Sequence, residues 1–568
     1  MKIKSTLLLL FVSQFFFAQS SKKIQAFHVI NNESDKDLIV LAQQLPQLAA
    51  QGINTLFLEV DYNFEFDSHP ELRGGDSPIT KAGAKSFAKA CAANNIELIP
   101  EFQSVGHQSW KENTFGLLKT YPELDLTPNA FPKNESIYCR EWDVTNPKVN
   151  QIIFPLIDEI VSAFGAKGIH VGMDEVFLLG TKESPNSFGK NNAQLFAKAI
   201  NEFHQHFVKE KKLQMYIWGD RLIDANTMNY GIWEASACGT SPAIDSIPKD
   251  IIICDWHYNS RSSYPSVDLF LQKGFKVLPC SYKDVDAANT FIKYTYSLQN
   301  PNMIGHCFTT WGSMEKTDVS AFPALIEGIK TIKEEKFFDV KIEYLTSTVP
   351  GQIALKLNTT KPSLRIHYTL DGSEPTTNSP VFKDILYIKE NSTLNALTFN
   401  NEKPAGSIIS ETFSLHKGIG LPIELLNTPS TKYLAINGKN ALLNGISGSA
   451  SFGDGQWLAF ENSDAAMVIQ TNNIEINKIT MTFHNQVNAW IHHPQDIEIF
   501  TSEDGVNFIS IKKQHVNKIG RQTVSVSIPL PAVKSNYIKI VAQKVIIPEG
   551  FNGEGNGAWI FMDEIILE

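Results

Sequence analysis

Basic residues, long apolar runs and cysteines are all scarce in this sequence of 568 residues. The net charge is −10 and the pI is near 5.8, which argues against a nucleic-acid partner because such binding needs a dense basic surface. Beyond the N-terminus, no segment approaches the ~18 uninterrupted apolar residues that a membrane-spanning helix needs. We therefore expect neither a nucleic-acid partner nor a membrane span.

The sequence also lacks the usual signatures of metal and phosphate sites. All six cysteines lie between Cys91 and Cys307, none at a metal-ligand spacing. No glycine-rich loop follows the first strand pattern, and His170 and His257 do not by themselves form a zinc ligand set. We expect no metal and no cofactor, and the sequence does not require disulfides.

The N-terminus has the pattern of an export signal. Lys2 and Lys4 precede an apolar stretch over residues 7–17, and Ala18 is a suitable last residue before cleavage. We predict a signal peptide over residues 1–18 and a mature protein in the periplasm or outside the cell.

Eight short apolar patterns alternate with helical patterns over residues 24–338. The predicted strands are IQAFHVI, NTLFLEV, IELIPEF, GIHVGM, LQMYIWG, DIIICDW, KVLPCS and MIGHCFTTW. The clearest helix is capped by Asn146, opened by Pro147 and closed by Gly165. Eight strand–helix units over roughly 300 residues predict an α/β fold, a (β/α)₈ TIM barrel. A doubly wound sheet is the competing fold, but the glycine-rich phosphate loop that is typical of that fold does not follow the first predicted strand.

The rest of the chain has all-β patterns. Alternating strands and an Asp371-Gly372 turn predict a small β-sandwich domain over residues 339–417. After a linker with glycine and proline, residues 426–568 predict a second β-sandwich.

The C-terminal ends of the barrel strands carry acidic, histidine and aromatic residues. Barrel enzymes place their catalytic groups at these ends. Tryptophan faces stack on the apolar face of a pyranose and carboxylates accept its hydroxyl hydrogens, so the pattern favours a sugar site. The residues concerned include Asp61, His107, His170, Asp174, Glu175, Trp218, Asp220, Trp256, Tyr282 and Trp311.

Asp174-Glu175 is the sharpest single feature. One carboxyl group can be held protonated by a close ionised neighbour and donate its proton to a glycosidic oxygen. Adjacent side chains of a straight strand point to opposite faces, so both reach one pocket only if the chain bends there. On spacing alone, a solvated acidic loop explains the pair equally well.

The motifs resemble those of glycoside hydrolase family 20, the β-N-acetylhexosaminidases. His170-Val171-Gly172-Met173-Asp174-Glu175 resembles the family's His-x-Gly-Gly-Asp-Glu at strand four. The other matches occur in the family's order: NTLFLEVD (54–61), IELIPEFQSVGHQ (96–108), YIWGD (216–220) and MIGHCFTTW (303–311). HYTLDGSEPT (367–376) resembles the chitobiase-type β domain that often follows such barrels. WLAFENSDAAMVIQ and HHPQDIEIFTSEDG resemble a discoidin-like sandwich.

The resemblance implies an exo-acting enzyme whose substrate supplies the nucleophile, its own 2-acetamido oxygen. Glu175 would be the acid and base, and Asp174 would bind the acetamido N–H. The resemblance also implies that Trp218, Trp256 and Trp311 wall the acetamido pocket and that Tyr282 donates to the acetamido oxygen. It places Asp61, His107, His170 and Asp220 at the substrate, although each fits a supporting role as well. The partner is then a glycan, and Trp457 and Trp490 leave open whether the last domain also binds one.

The sequence departs from the family pattern on the far side of the sugar. No arginine ends strand one, which runs FHVINNES, and Trp311-Gly312-Ser313 lacks the glutamate that usually follows, with Glu315 out of register. We therefore expect 2-acetamido chemistry with a different or decorated sugar. Two alternatives stay open: a glycosidase of the same scaffold acting on another sugar, and a non-catalytic glycan-binding protein.

Overall fold

The computed structural model describes residues 23–312, 322–345, 349–517 and 522–568. The predicted signal peptide and Glu315 lie outside these residues. The chain divides into two compact units, residues 1–334 and 335–568, which are described separately. No helix in the described ranges has the length and apolar character of a membrane span.

The first unit contains the predicted barrel. Eight parallel strands close in the order β1-β8-β7-β6-β5-β4-β3-β2, each paired with its sequence neighbour and β1 paired with β8. Seven of them lie within the predicted segments and β3 runs two residues past the end of its segment, so the fold prediction is confirmed. Their bounds are β1 Ile24–Val29, β2 Thr55–Glu59, β3 Glu97–Ser104, β4 Gly168–Gly172, β5 Gln214–Trp218, β6 Ile252–Trp256, β7 Lys276–Ser281 and β8 Gly305–Thr309.

Helices connect the strands and carry the capping signals of the sequence. In α4, the Asn146 side chain accepts from the N–H of Lys148, and Gly165 ends the helix with φ 61°. The helices are α1 Asp35–Gln51, α2 Lys81–Ala93, α3 Gly116–Thr120, α4 Pro147–Phe164, α5 Asn192–Phe203, α6 Ala225–Met228, α7 Pro265–Gln272, α8 Val285–Ser297 and α9 Pro323–Glu334.

Apolar side chains fill the barrel interior below the mouth. Phe57, Ile99 and Leu278 pack there with three buried cysteines, Cys254, Cys280 and Cys307. All six cysteines of the chain are free thiols. A packed interior leaves the strand ends as the place for a site.

The second unit is built from antiparallel β-sheets. Two small sheets share one core around Leu355, Leu394 and Phe413. A five-stranded and a four-stranded sheet share another core around Met467, Met481 and Ile540. The strands are β9 Lys341–Leu345, β10 Ile353–Asn358, β11 Arg365–Thr369, β12 Leu386–Ile388, β13 Ser392–Asn400, β14 Lys403–Pro404, β15 Ile409–Phe413, β16 Ile423–Leu425, β17 Leu458–Glu461, β18 Ala465–Gln470, β19 Ile476–His484, β20 Asp496–Ser502, β21 Ile509–His515, β22 Thr523–Val533, β23 Tyr537–Ala542 and β24 Trp559–Leu567.

Candidate active site

A cavity of about 750 Å³ opens at the C-terminal ends of the barrel strands. It is lined by six of the ten residues that the sequence placed at the substrate: Asp61, His107, Asp174, Glu175, Trp256 and Trp311. The other described lining residues are Ile30, Asn31, Glu33, Glu59, Gln103, Ser109, Trp110, Asn113, Phe115, Tyr138, Trp233 and Tyr258. The volume lies within the range typical of ligand pockets.

A bend at the end of β4 turns both acids into this cavity. Gly172, Met173 and Glu175 have φ of 63°, 70° and 50°. The left-handed region costs a residue with a side chain of order 1–3 kcal/mol, a strain that is typical of functional sites. The bend removes the strand alternation that would send Asp174 and Glu175 to opposite faces.

His107 lies against both carboxyl groups. Its Nε2 is 3.2 Å from Asp174 Oδ2 and 3.3 Å from Glu175 Oε2. Burial lowers the pKa of His107, but the Asp174 charge and the hydrogen bonds to both acids hold it well above its ordinary value. The two acids therefore favour the charged form of His107.

An ion pair behind the cavity fixes the position of Glu175. The Glu175 N–H donates to Asp220 Oδ2 at 2.9 Å, and Arg221 Nε donates to the same oxygen at 2.6 Å. Asp220 Oδ1 also accepts from Trp256 Nε1 at 3.3 Å. Asp220 and Arg221 are both buried, so Asp220 supports the acid and lies outside the cavity lining.

An aromatic cluster stands beside Glu175. Burial, followed by the Glu175 charge, raises the pKa of Tyr138 above its ordinary value. The Tyr138 ring is 5.0 Å from that of Trp233 and 5.8 Å from that of Trp110. Trp110 and Trp233 are 50% and 48% exposed although both line the cavity. Sequence reasoning missed all three. Their one signal is that they lie in the long segments that follow β3 and β5.

A second aromatic group lies across the mouth. Trp256, Tyr258 and Trp311 line the cavity, and Trp311 Nε1 donates to the Tyr258 hydroxyl at 3.1 Å. Burial raises the pKa of Tyr258 well above its ordinary value, which keeps its hydroxyl neutral. Tyr282 is not among the described lining residues; its ring contacts that of Tyr258 at 5.5 Å.

Trp218 and His170 lie below the cavity in a buried polar network. Trp218 is 2% exposed, and its Nε1 donates to Glu101 at 3.0 Å. The same carboxylate is 2.8 Å from His28 Nε2 and 3.1 Å from His170 Nδ1. Burial lowers the pKa of His170, but Glu101 raises it to about 10. These residues support the floor of the cavity.

Two acids at the end of β2 face the cavity next to Asp174. Asp61 Oδ1 accepts from the Gln103 N–H at 2.7 Å. Burial, followed by the neighbouring Glu101 and Asp174 charges, raises the pKa of Asp61 to about 7, against the lowering effect of that hydrogen bond. Burial and the charges of Asp61 and Glu101 also raise the pKa of Glu59 well above its ordinary value.

One group of described residues has the spacing of a metal site. Ligand atoms of His107, Asp174 and Glu175 lie within 4.8 Å of one another. A divalent cation there would occupy the two carboxyl groups and prevent either from holding a proton. A bound metal would therefore oppose acid catalysis at this site.

The comparisons with known sequences agree with this geometry. The family described as glycosyl hydrolase family 20, catalytic domain, matches residues 22–322, more than half of the chain. The family described as chitobiase/beta-hexosaminidase C-terminal domain matches residues 345–410.

Individual relatives are more distant. A lacto-N-biosidase of Bifidobacterium bifidum is 28% identical over 38% of this chain and 18% of its own length. A beta-hexosaminidase of Emericella nidulans is 20% identical over 42% of this chain and 40% of its own length. The chain thus spans less than half the length of these relatives. A solved β-N-acetylhexosaminidase from Bacteroides fragilis is 13% identical with a TM-score of 0.41, covering 54% of this chain and 66% of the other.

Proposed function

Because the chain belongs to glycosyl hydrolase family 20, we propose that it is an exo-acting β-N-acetylhexosaminidase that works by substrate-assisted, retaining catalysis. The observation that carries the proposal is the bend after Gly172, which turns Asp174 and Glu175 into one cavity. Tryptophan and tyrosine rings line the same cavity, as a sugar ring requires.

The proposed reaction uses Glu175 as its acid and then as its base. Glu175 protonates the glycosidic oxygen while the substrate's acetamido oxygen attacks the anomeric carbon, so the leaving group departs and an oxazolinium ion forms. Glu175 then removes a proton from the water that opens this ion. The β-configuration is retained because the anomeric carbon is inverted twice.

Asp174 is suited to bind the acetamido group. Its Oδ1 is buried and has no hydrogen-bond partner among the described residues, while Oδ2 is held by His107. Such an atom costs free energy unless a ligand satisfies it. The acetamido N–H is a matching donor, and the carboxylate charge stabilises the positive charge that develops there. Tyr258, which lines the cavity, replaces Tyr282 as the proposed donor to the acetamido oxygen.

The experiment is a panel of aryl β-glycosides with a 2-acetamido or a 2-hydroxyl group. We expect hydrolysis of the acetamido sugars only, with β-hemiacetal as the first product by NMR, and inhibition by a thiazoline. Equal rates on the 2-hydroxyl sugars would reject the proposal in favour of another glycosidase. Binding of glycans without hydrolysis would favour a non-catalytic protein.

A second candidate function differs in the size of the sugar unit that the enzyme releases. The cavity is lined by Ile30, Asn31 and Glu33 where family members have an arginine, and one relative is named lacto-N-biosidase. Release of a disaccharide is therefore a specific alternative to release of one sugar. Chromatography of the products from a defined tetrasaccharide separates the two.

We propose further that the chain is exported and that its last domain, residues 426–568, is a discoidin-like sandwich that binds glycan. The apolar stretch before Ala18 supports export. In the last domain Trp457 is buried, whereas Trp490 is only partly so. Trp490→Ala should weaken binding to an immobilised glycan and leave hydrolysis of a small aryl glycoside unchanged. Detection of the processed protein outside the cytoplasm tests export.

A further inference from the structure

The acid turn, residues 173–178, carries both catalytic acids and is irregular backbone. Because no helix or strand pairs its backbone groups, other partners must satisfy those that are buried. Side chains provide them. Asp220 accepts from the Glu175 N–H at 2.9 Å, and Arg221 donates to the Val176 carbonyl oxygen at 3.2 Å.

Glu141 holds the far end of the acid turn. Its Oε1 accepts from the N–H groups of Phe177 and Leu178 at 2.5 and 2.7 Å. The residue is fully buried, and its Oε2 has no partner among the described residues. Burial raises the pKa of this carboxyl group to about 7, although the two N–H groups and the Arg221 charge lower it. Burying such a group costs free energy, so packing alone does not account for Glu141.

The backbone around Glu141 is bonded to the turn that carries His107. The residue after Glu141 donates its N–H to the Val105 carbonyl oxygen at 2.9 Å, and the carbonyl oxygen of the residue before it accepts from the Gln108 N–H at 3.0 Å. Glu141 therefore connects two turns, one through its neighbours' backbone and one through its side chain. The side chains that these turns carry, His107 and Glu175, meet with Nε2 and Oε2 3.3 Å apart.

We propose that Glu141 is a positioning residue, which sets the distance between His107 and Glu175 by connecting the two turns that carry them. Glu141 is not among the described lining residues of the cavity, so it acts through the backbone of the acid turn. The ring of Phe177, whose N–H it binds, also packs 5.3 Å from the ring of Trp233. This inference rests on the proposed role of Glu175 as the acid.

The test separates the position of the Glu141 carboxyl group from its charge. Glu141→Asp keeps the charge but withdraws the carboxyl group by one methylene, so it loses its reach to the two N–H groups. Glu141→Gln removes the charge but keeps an oxygen in the place of Oε1. For each variant, kcat/KM is measured on a phenyl and on a dinitrophenyl 2-acetamido-β-glucoside, because only the phenyl leaving group needs a proton from the acid.

The two variants should differ in a way that a folding defect would not reproduce. We expect Glu141→Asp to lower kcat/KM about 100-fold on the phenyl glycoside, the loss typical of a misplacement of about 1 Å, and less than about 10-fold on the dinitrophenyl glycoside. Glu141→Gln should stay within about threefold of wild type on both, because its hydrogen bonds are kept. Glu135→Gln, an exposed acid earlier in the same segment and outside the cavity lining, should behave as wild type.

Three results would overturn the inference alone. They are wild-type rates in Glu141→Asp, equal losses on the two glycosides in that variant, and a loss in Glu141→Gln as large as that in Glu141→Asp. Hydrolysis of the same glycosides by the wild-type protein tests the proposed function separately. If wild type cleaves neither, the proposed function fails and the inference fails with it.

Discussion

Replacing Asp174 by asparagine removes one charge at the atom where the proposed reaction needs it. The amide keeps the shape of the side chain, which is 7% exposed, with Oδ1 unpartnered among the described residues. A full charge about 4 Å away is worth about 4 kcal/mol at an effective dielectric of about 20. Because the acetamido group carries only part of a charge in the transition state, about 2–4 kcal/mol should be lost. That corresponds to a fall in kcat of roughly 30- to 1,000-fold.

Steady-state kinetics with an aryl 2-acetamido-β-glucoside measure this loss. The inhibition constant of a thiazoline, which mimics the intermediate, should rise by a similar factor, whereas KM should change little. Asp76→Asn, an exposed aspartate outside the cavity lining, is the matched control and should behave as wild type. Wild-type kcat and thiazoline affinity in a folded Asp174→Asn protein would refute the assigned role.

Three further predictions concern the acid and its supports. Glu175→Gln should lower kcat/KM by about 10²–10⁴-fold on oligosaccharides but far less on a dinitrophenyl glycoside, whose leaving group needs no proton; equal losses would contradict the role. Burial raises the pKa of Asp61 to about 7, so its contribution to stability is present at low pH and is lost as pH rises towards 7. The Tm of Asp61→Asn relative to wild type should therefore rise between about pH 4 and pH 7. A Tm difference that stays constant over this range would count against the shifted pKa. Arg221→Met should lower the free energy of unfolding of the barrel by about 3–5 kcal/mol in urea melts, because it leaves the buried Asp220 carboxylate unpaired. Adding Asp220→Asn should restore part of the lost stability, and no recovery in the double variant would argue against the ion pair.

The barrel was predictable because its signals are local. Each strand is a short apolar run, and α4 carries Asn146, Pro147 and Gly165 at its ends, where backbone geometry favours those residues. The position of Asp174 and Glu175 at a strand end was predictable for the same reason. The roles of the two acids remain a prediction.

The walls of the cavity were less accessible to sequence reasoning. Trp110, Tyr138 and Trp233 lie in the long segments that follow β3 and β5, and the paths of these segments depend on tertiary contacts rather than on periodicity. Trp218 ends a strand but lies below the cavity because Glu101 accepts its N–H there. Position along a strand does not reveal which side of the barrel wall the last side chain faces. For the same reason, the sequence did not show that Tyr258 rather than Tyr282 lines the cavity.

The acid and the aromatic surface beside it share one buried anchor. Arg221 holds Asp220, which accepts the Glu175 N–H, and its remaining donors reach carbonyl oxygens of Val176, Ile232, Trp233 and Ala235. The same guanidinium therefore fixes the turn that carries the acid and the loop that carries Trp233. Lysine has three donors on a flexible stem and lacks the planar fork, so it could not hold both segments. One buried arginine thus positions both the Glu175 backbone and the loop that carries Trp233.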